Sequence, residues 1–236
     1  MALGCVGFVS AQANPDLPPS VVDCTPKPFE TNVDPGLTEL SVTFDRPMSA
    51  EGALTNIRFL GVNPVPQGTE GRWDGTGTVF TVAVELQPDV MYCVATNTAK
   101  GRVFKDTSGK LATNSTWCFA TGERAPEDFP PHVVSCTPAF GATDVDFRLR
   151  EVTFTFDRPI APGDFSCVLQ QGSGEYPAPR GGSLTLSDDR LTGTLEVRLS
   201  PGTTYALGVN DYSYCGYKDT NGRPVLPFGW CFRTAD

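Results

Sequence analysis

Hydrophobic and polar residues alternate along much of the chain. In LSVTFD (40–45), Leu40, Val42 and Phe44 share one side and polar residues the other. EVTFTFD (151–157) repeats this with Val152, Phe154 and Phe156. In TVFTVAVEL (78–86), Phe80, Val82 and Val84 oppose Val79, Thr81 and Ala83; in TYALGVN, Tyr205, Leu207 and Val209 alternate. Successive side chains leave a strand on opposite faces, so a period of two marks half-buried strands. Gly, Pro, Asn or Asp breaks the pattern about every 8–12 residues, as in a sandwich of short strands. No amphipathic run with a period of 3.6 reaches helix length. The pattern predicts an all-β chain of antiparallel sandwiches.

The pattern is also written twice. PPSVVDCTPKPFETNVDPGLTELSVTFDRPM (18–48) and PPHVVSCTPAFGATDVDFRLREVTFTFDRPI (130–160) share 17 of 31 positions at an offset of 112. At an offset of 113, Tyr92 matches Tyr205, Asn97 matches Asn210, KDTSGK (105–110) matches KDTNGR (218–223) and TWCFAT (116–121) matches GWCFRT (229–234). A near-constant offset over a domain length means tandem duplication. The charged, Pro-rich GERAPEDFPP (122–131) reads as a linker held extended by its prolines. The expected layout is a signal-peptide-like or disordered N-terminus at 1–16, a first domain at 17–122, a linker at 123–129 and a second domain at 130–236.

Composition narrows the function. The 236 residues suit two domains, and 39% hydrophobic against 19% charged residues can bury a core. Net charge is -9, which argues against a nucleic-acid binder. One histidine leaves little room for His-based catalysis or zinc ligation. Eight cysteines without a C-x-x-C pair give no zinc-ribbon or thioredoxin-like signature and favour an exported protein. ALGCVGFVSAQA (2–13) is apolar, small and ends in an A-x-A-like cleavage pattern, although it lacks a basic start. Leu3-Gly4-Cys5 offers a weak lipidation reading. No other stretch has the length of a membrane span.

At these motifs the sequence resembles the bacterial Ig-like domain first associated with surface-layer proteins. Each half opens on P-x-V-V-x-x-x-P (Pro19 to Pro26; Pro131 to Pro138) and has a strand ending in T-F-D-R-P-[MI] (Thr43 to Met48; Thr155 to Ile160). There follow an L-x-P…Y strand entry (Leu86 to Tyr92; Leu199 to Tyr205), a D-x-x-G turn (Asp106 to Gly109; Asp219 to Gly222) and a closing W-x-F-x-T (Trp117 to Thr121; Trp230 to Thr234). The resemblance implies two tandem immunoglobulin-like antiparallel β-sandwich domains, used outside the cell as a spacer, stalk or adhesive module. It brings no catalytic residues.

Two cysteines per half are duplicated: Cys24 with Cys118, and Cys136 with Cys231. First and last strands are commonly neighbours in Ig-like sandwiches, so a disulfide within each pair is the leading expectation. Cys167 and Cys215 then remain to pair in the second domain, and Cys93 is odd. The rival scheme joins Cys93 to Cys118.

Few residues suggest chemistry. His132, at the domain junction, lacks a nucleophile motif nearby and reads as an exposed histidine. Asp45-Arg46-Pro47 and Asp157-Arg158-Pro159 read as solvated or paired strand ends, where proline stops a ladder. The loops at Asp106 and Asp219 offer one carboxylate each and are flanked by cations, so a type I turn fits better than calcium, and no metal or cofactor is expected. Asn114-Ser115-Thr116 is a sequon that matters only in a eukaryotic secretory pathway. Trp117 and Trp230 alternate with Phe119 and Phe232 and read as core. Trp73, in the Gly-rich GRWDGTG, has no counterpart and reads as the exposed contact. The expected function is a non-enzymatic exported module with a structural, spacer or adhesive role at the bacterial cell surface, extracellular or periplasmic. The alternative is a module binding carbohydrate or protein through loops near Trp73, with cell-wall glycan or another surface protein as partner.

Overall fold

A computed structural model describes residues 13–50, 58–97, 104–163, 167–169, 173–211 and 215–236. The signal-peptide-like stretch and Cys5 lie outside the described residues. The chain divides into two compact units: Pro19–Phe129, and Pro130–Asp236 together with Asn14–Pro18.

The first unit contains β1 (Val21–Thr25), β2 (Glu39–Phe44), β3 (Arg58–Leu60), β4 (Arg72–Trp73), β5 (Val79–Ala83), β6 (Met91–Thr96) and β7 (Ser115–Ala120). They form a sheet ordered β1-β2-β5-β4 and a sheet ordered β3-β6-β7. The second unit contains β8 (Val133–Thr137), β9 (Ala142–Val145), β10 (Glu151–Phe156), β11 (Cys167–Leu169), β12 (Ala178–Leu186), β13 (Thr192–Arg198), β14 (Thr204–Val209) and β15 (Phe228–Thr234). Its sheets are ordered β12-β13-β10-β8 and β11-β14-β15-β9. Without β9, the second topology is the first repeated strand for strand. Among the described residues every strand pairing is antiparallel except β9 with β15, which is parallel and departs from the all-antiparallel expectation, as does the single parallel bridge of Glu175 with Tyr205. In the first unit the counterpart of β9 also runs along the last strand, with Val33 N–H donating to Ala120 O and Ala120 N–H to Glu30 O.

The alternation does what the pattern predicts. Leu40, Val42 and Phe44 are buried on β2, and Val152, Phe154 and Phe156 on β10. Trp117, Phe119, Trp230 and Phe232 are core residues. β14 departs from simple alternation because Tyr205–Val209 are all buried. Its Tyr205, Leu207 and Val209 enter the main core, whereas Ala206 packs with Cys231 and Leu17.

Small residues are placed by close packing. A Cβ on Gly193 would lie 2.4 Å from the Phe154 ring, and one on Gly71 would lie 2.0 Å from the Phe80 ring. The aromatic rings occupy the space that side chains would need.

Two expectations about boundaries change. Residues 123–129 are tied to the first unit: Arg124 donates to the Asp89 carboxylate at 2.7 Å, a short 3-10 turn covers Pro126–Asp128, and buried Phe129 packs edge-on against Phe29 at 5.3 Å. Asn14–Pro18 belongs to the second unit although it precedes the first. Phe129 keeps the extended backbone that the following proline favours, with φ -70° and ψ 151°, and the burial of Phe129 and Leu17 ties each segment to its unit.

The leading disulfide scheme is also corrected. Cys93 is bonded to Cys118, on facing positions of β6 and β7 with Cα atoms 4.0 Å apart. β1 pairs with β2 in the other sheet, so Cys24 faces Val42 instead of the last strand. Cys24 is a thiol whose Sγ lies 3.0 Å from Pro26 O. Cys136, Cys231, Cys167 and Cys215 are thiols as well, so neither the Cys136–Cys231 nor the Cys167–Cys215 pairing forms. In the second unit the position facing Cys231 is Ala206. Ala206→Cys should therefore form the missing cross-strand disulfide with Cys231. Non-reducing peptide mapping should join these positions; a variant whose two thiols both remain alkylatable when unfolded would contradict the register.

Candidate functional site

The residues that suggested chemistry are mostly occupied in building the ends of the strands. Trp73 pairs with Phe80 across β4 and β5, and its ring packs against Phe44, Phe80 and Phe104 with centroids 5.2–5.9 Å away. It is half-buried. The exposed contact expected from its Gly-rich surroundings is corrected: three phenylalanines draw the indole inward. The hairpin beyond it is held by Asp74, whose Oδ1 accepts from Thr78 and Val79 N–H at 3.1 Å and whose Oδ2 accepts from the Thr76 hydroxyl at 2.7 Å. The Thr76 hydroxyl and these backbone donors hold the Asp74 carboxyl below the usual carboxylate range.

The two Asp-Arg-Pro motifs close the edge of the first strand in each unit. Asp45 N–H donates to Ser20 O, and Asp45 Oδ1 accepts from Ser20 N–H at 3.2 Å. Asp157 does the same with His132, accepting its N–H at 2.8 Å. Each aspartate also pairs with the arginine that follows it, at 2.8 Å for Arg46 and 2.6 Å for Arg158. Paired strand ends are what the motifs suggested. The structure further brings Arg46 to 3.8 Å from the Asp106 carboxylate, which joins two separate sequence motifs.

His132 is not the exposed histidine the sequence suggested. The two backbone bonds to Asp157 draw it into the end of the sheet, and its side chain is only 14% exposed, with Nδ1 3.6 Å from the Asp157 carboxylate. Burial pushes its pKa below 6.5, while Asp157 pulls the other way. The folded state thus prefers neutral His132. Its contribution is fully present above the unfolded-state value near 6.5 and is lost as pH falls through the lower folded-state value. Urea unfolding should show stability dropping below pH 6.5, and His132→Asn should flatten part of that slope. An unchanged slope would contradict the assignment.

The repeated aspartate loops are turns. Gly109 N–H donates to Asp106 O at 2.9 Å, and Asp106 Oδ1 accepts from Ser108 and Lys110 N–H at 2.9 and 3.0 Å. Asp219 repeats this with Gly222, Asn221 and Arg223. Gly109 and Gly222 have φ of +89° and +80°, a left-handed exit that glycine accepts without cost. Burial pushes the Asp219 carboxyl up, but the Arg223 N–H, its guanidinium and the Asn221 N–H outweigh this and hold it below the usual range. Among the described residues, no three His, Cys, Asp or Glu side chains cluster in a way that could hold a metal ion.

The most demanding polar residues were visible only as matches between the halves. Asn97 is 1% exposed, with φ +51°. Its Nδ2 donates to Phe104 O and Ala112 O, and its Oδ1 accepts from Phe104 N–H, all at 2.8 Å. Asn210 makes the same three bonds with Tyr217 and Val225 at 2.9–3.0 Å. Each amide ties together the two arms of the long connection before the last strand. A second clamp lies at the opposite end of the strand. Tyr92 OH accepts from Gln87 N–H, and Tyr205 OH from Ser200 N–H, both at 2.7 Å. Thr121 and Thr234 donate to the carbonyls of Gln87 and Ser200 at 2.6 and 2.7 Å.

The thiols are poor nucleophiles. Burial pushes both Cys136 and Cys167 up to about 12, so neither is a thiolate at neutral pH. Asn114 of the sequon is buried at the start of β7, closed to a glycan.

These twin frameworks can be set beside known proteins. No curated protein sequence matches. Among solved structures, a fragment of the surface-layer protein rSbsC(31-844) is similar over 92% of this chain and 26% of its own, with 16% identity and a TM-score of 0.33. The chain thus spans about a quarter of that fragment. CopC from Methylosinus trichosporium OB3b covers 44% of this chain and 93% of its own at 12% identity and TM-score 0.32. The titin Ig tandem A164-A165 covers 93% and 96% at 8% identity and TM-score 0.24. The family model for the bacterial Ig-like domain matches twice, at residues 15–121 and 127–234. The chain belongs to the bacterial Ig-like domain family, with two copies in tandem.

Proposed function

We propose that this tandem is a non-enzymatic module with a structural, spacer or adhesive role at the bacterial cell surface. The observation that carries the reading is that the duplicated polar residues are engaged inside the scaffold. Asn97 and Asn210, and Tyr92 and Tyr205, bond to backbone groups, and Asp106 and Asp219 are engaged by backbone N–H groups and by neighbouring side chains, Ser108 and Arg46 for Asp106 and Arg223 for Asp219. A catalytic pair would need a nucleophile, acid or base presented to a substrate. The Cys93–Cys118 disulfide suits an oxidising compartment. Its surface partners would be cell-wall glycan or another surface protein.

The test is two-part. Antibody labelling of intact expressing cells should reach the protein, and a glycan and cell-wall array probed with the purified chain should report whether it adheres. Labelling only after lysis would refute the surface role. A glycan signal lost in a Trp73→Ala variant that still folds, with a melting temperature lowered by the lost packing on Phe44, Phe80 and Phe104, would instead favour a carbohydrate-binding module at the β4–β5 hairpin.

A further inference from the structure

Asparagine followed by glycine is a reactive pair, because a glycine nitrogen with no Cβ beside it can reach the carbonyl carbon of the asparagine side chain. The sequence holds one such pair, Asn221-Gly222, in the second unit's copy of the repeated turn. Both residues are exposed, and a Cβ built on Gly222 would meet nothing within 4 Å. Asn221 N–H donates to Asp219 Oδ1, but among the described residues its side-chain amide has no hydrogen-bond partner. Gly222 N–H is held by Asp219 O at 3.0 Å, a bond in an exposed turn that opens locally with little free energy.

The structure sets the other described candidates aside. Asn14 and Asn63 precede prolines, which have no N–H to attack with. Asn97, Asn114 and Asn210 are buried, and Asn32 precedes buried, β-branched Val33. Asp74-Gly75 has the same glycine, but the Asp74 carboxyl accepts from Thr76, Thr78 and Val79 and is held below the usual range. An ionised carboxylate is a poor electrophile. The first unit's matching turn has the same hydrogen bonds but carries Ser108-Gly109, which offers no side-chain carbonyl.

We propose that Asn221 is a site of self-modification, at which attack by Gly222 N on Asn221 Cγ converts the folded protein to aspartate and isoaspartate forms. Gly222 N gives its proton to hydroxide and forms the N–Cγ bond. The Cγ–Nδ2 bond breaks, and Nδ2 leaves as ammonia with a proton from water. Water then opens the cyclic imide. Opening at Cγ leaves aspartate, and opening at the main-chain carbonyl carbon leaves isoaspartate. The sum is amide plus water giving carboxyl plus ammonia, with no oxidant or reductant.

Isoaspartate lengthens the main chain by one carbon between residues 221 and 222. Asp219 depends on that segment. It is 1% exposed, and its Oδ1 accepts from Asn221 and Arg223 N–H, both at 2.9 Å. Asp219 is bridged to Ile160, and Ala161 N–H donates to Lys218 O at 2.8 Å. The modification therefore loosens the second domain beyond the end of β10 and leaves the first domain as it was. The inference goes beyond the surface-module reading and does not depend on it.

The test is incubation of the full-length protein at mildly alkaline pH, followed by peptide mapping and labelling with an isoaspartyl methyltransferase. Residue 221 should convert to aspartate and isoaspartate at a rate proportional to hydroxide, with Asp74 and the other described asparagines intact. The second domain's melting temperature should fall as isoaspartate accumulates, while the first domain's holds. Asn221→Ser, which gives this turn the residue that the first domain already uses, should fold and abolish both changes. Retention of the Asn221 amide in the folded protein, where a free peptide of residues 216–226 converts, would overturn the site. Isomerisation of Asp74 as fast as conversion of Asn221 would overturn the selection by structure. A second-domain melt that holds after full conversion to isoaspartate would overturn the consequence.

Discussion

Replacing Asn210 with alanine should destabilise the second domain by about 3–6 kcal/mol, enough to unfold it or nearly so. The amide is buried and makes three hydrogen bonds to backbone groups of Tyr217 and Val225. Truncation leaves one N–H and two carbonyls without that partner, at about 1–3 kcal/mol for each one that water cannot reach. Alanine also fits poorly at φ +54°, which asparagine tolerates. Asn210→Gly removes that second cost and separates the two effects: it should recover only about 1 kcal/mol. Asn97→Ala should do the same to the first domain, through Phe104 and Ala112. Urea unfolding with a probe on each domain measures both. A loss below about 1 kcal/mol in either variant would mean that the amide is not the clamp described.

Removing the Cys93–Cys118 disulfide should cost the first domain about 3–4 kcal/mol in the chain-entropy description, because the bond closes a loop with a sequence separation of 25. The double variant Cys93→Ala, Cys118→Ala is the cleaner probe, since it leaves neither bridge cysteine behind as a thiol that could pair with buried Cys24. The second domain serves as internal control: the position facing Cys231 is Ala206, so reduction should leave its transition in place. Loss of the first domain's transition alone on reduction is the expected outcome. Equal shifts in both domains would contradict the assignment of the bond.

Much of the fold was legible because burial dictates alternation. Leu40, Val42 and Phe44 could be assigned to one face before any coordinates, as could Trp230 and Phe232, and the duplication extended each assignment to the other half. The cysteines misled for the opposite reason. Duplication preserves positions, and Cys118 and Cys231 are indeed equivalent, but the partner of Cys118 is Cys93, whose counterpart is Ala206. Pairing depends on which strands are hydrogen-bonded, and the first strand lies in the other sheet. Trp73 misled because its glycines suggested exposure, whereas Gly71 is small to admit the Phe80 ring and the tryptophan follows it inward. The anchoring of Leu17 was hidden because its contacts lie with residues at the far end of the chain, beyond any local pattern.

The central claim is that the polar residues preserved by the duplication build the scaffold and do not hold a ligand. The repeated Asp106 and Asp219 loops are where that claim is most exposed, since a carboxylate beside hydroxyl and amide oxygens is also what a calcium ion seeks. The direct measurement is a thermal melt of the full chain in millimolar calcium and again in chelator, repeated for Asp106→Asn and Asp219→Asn. The account predicts that calcium leaves the wild-type melt unchanged and that each substitution lowers it equally in both conditions. A calcium-dependent rise of several degrees that disappears in either variant would show that the loops are ligand sites.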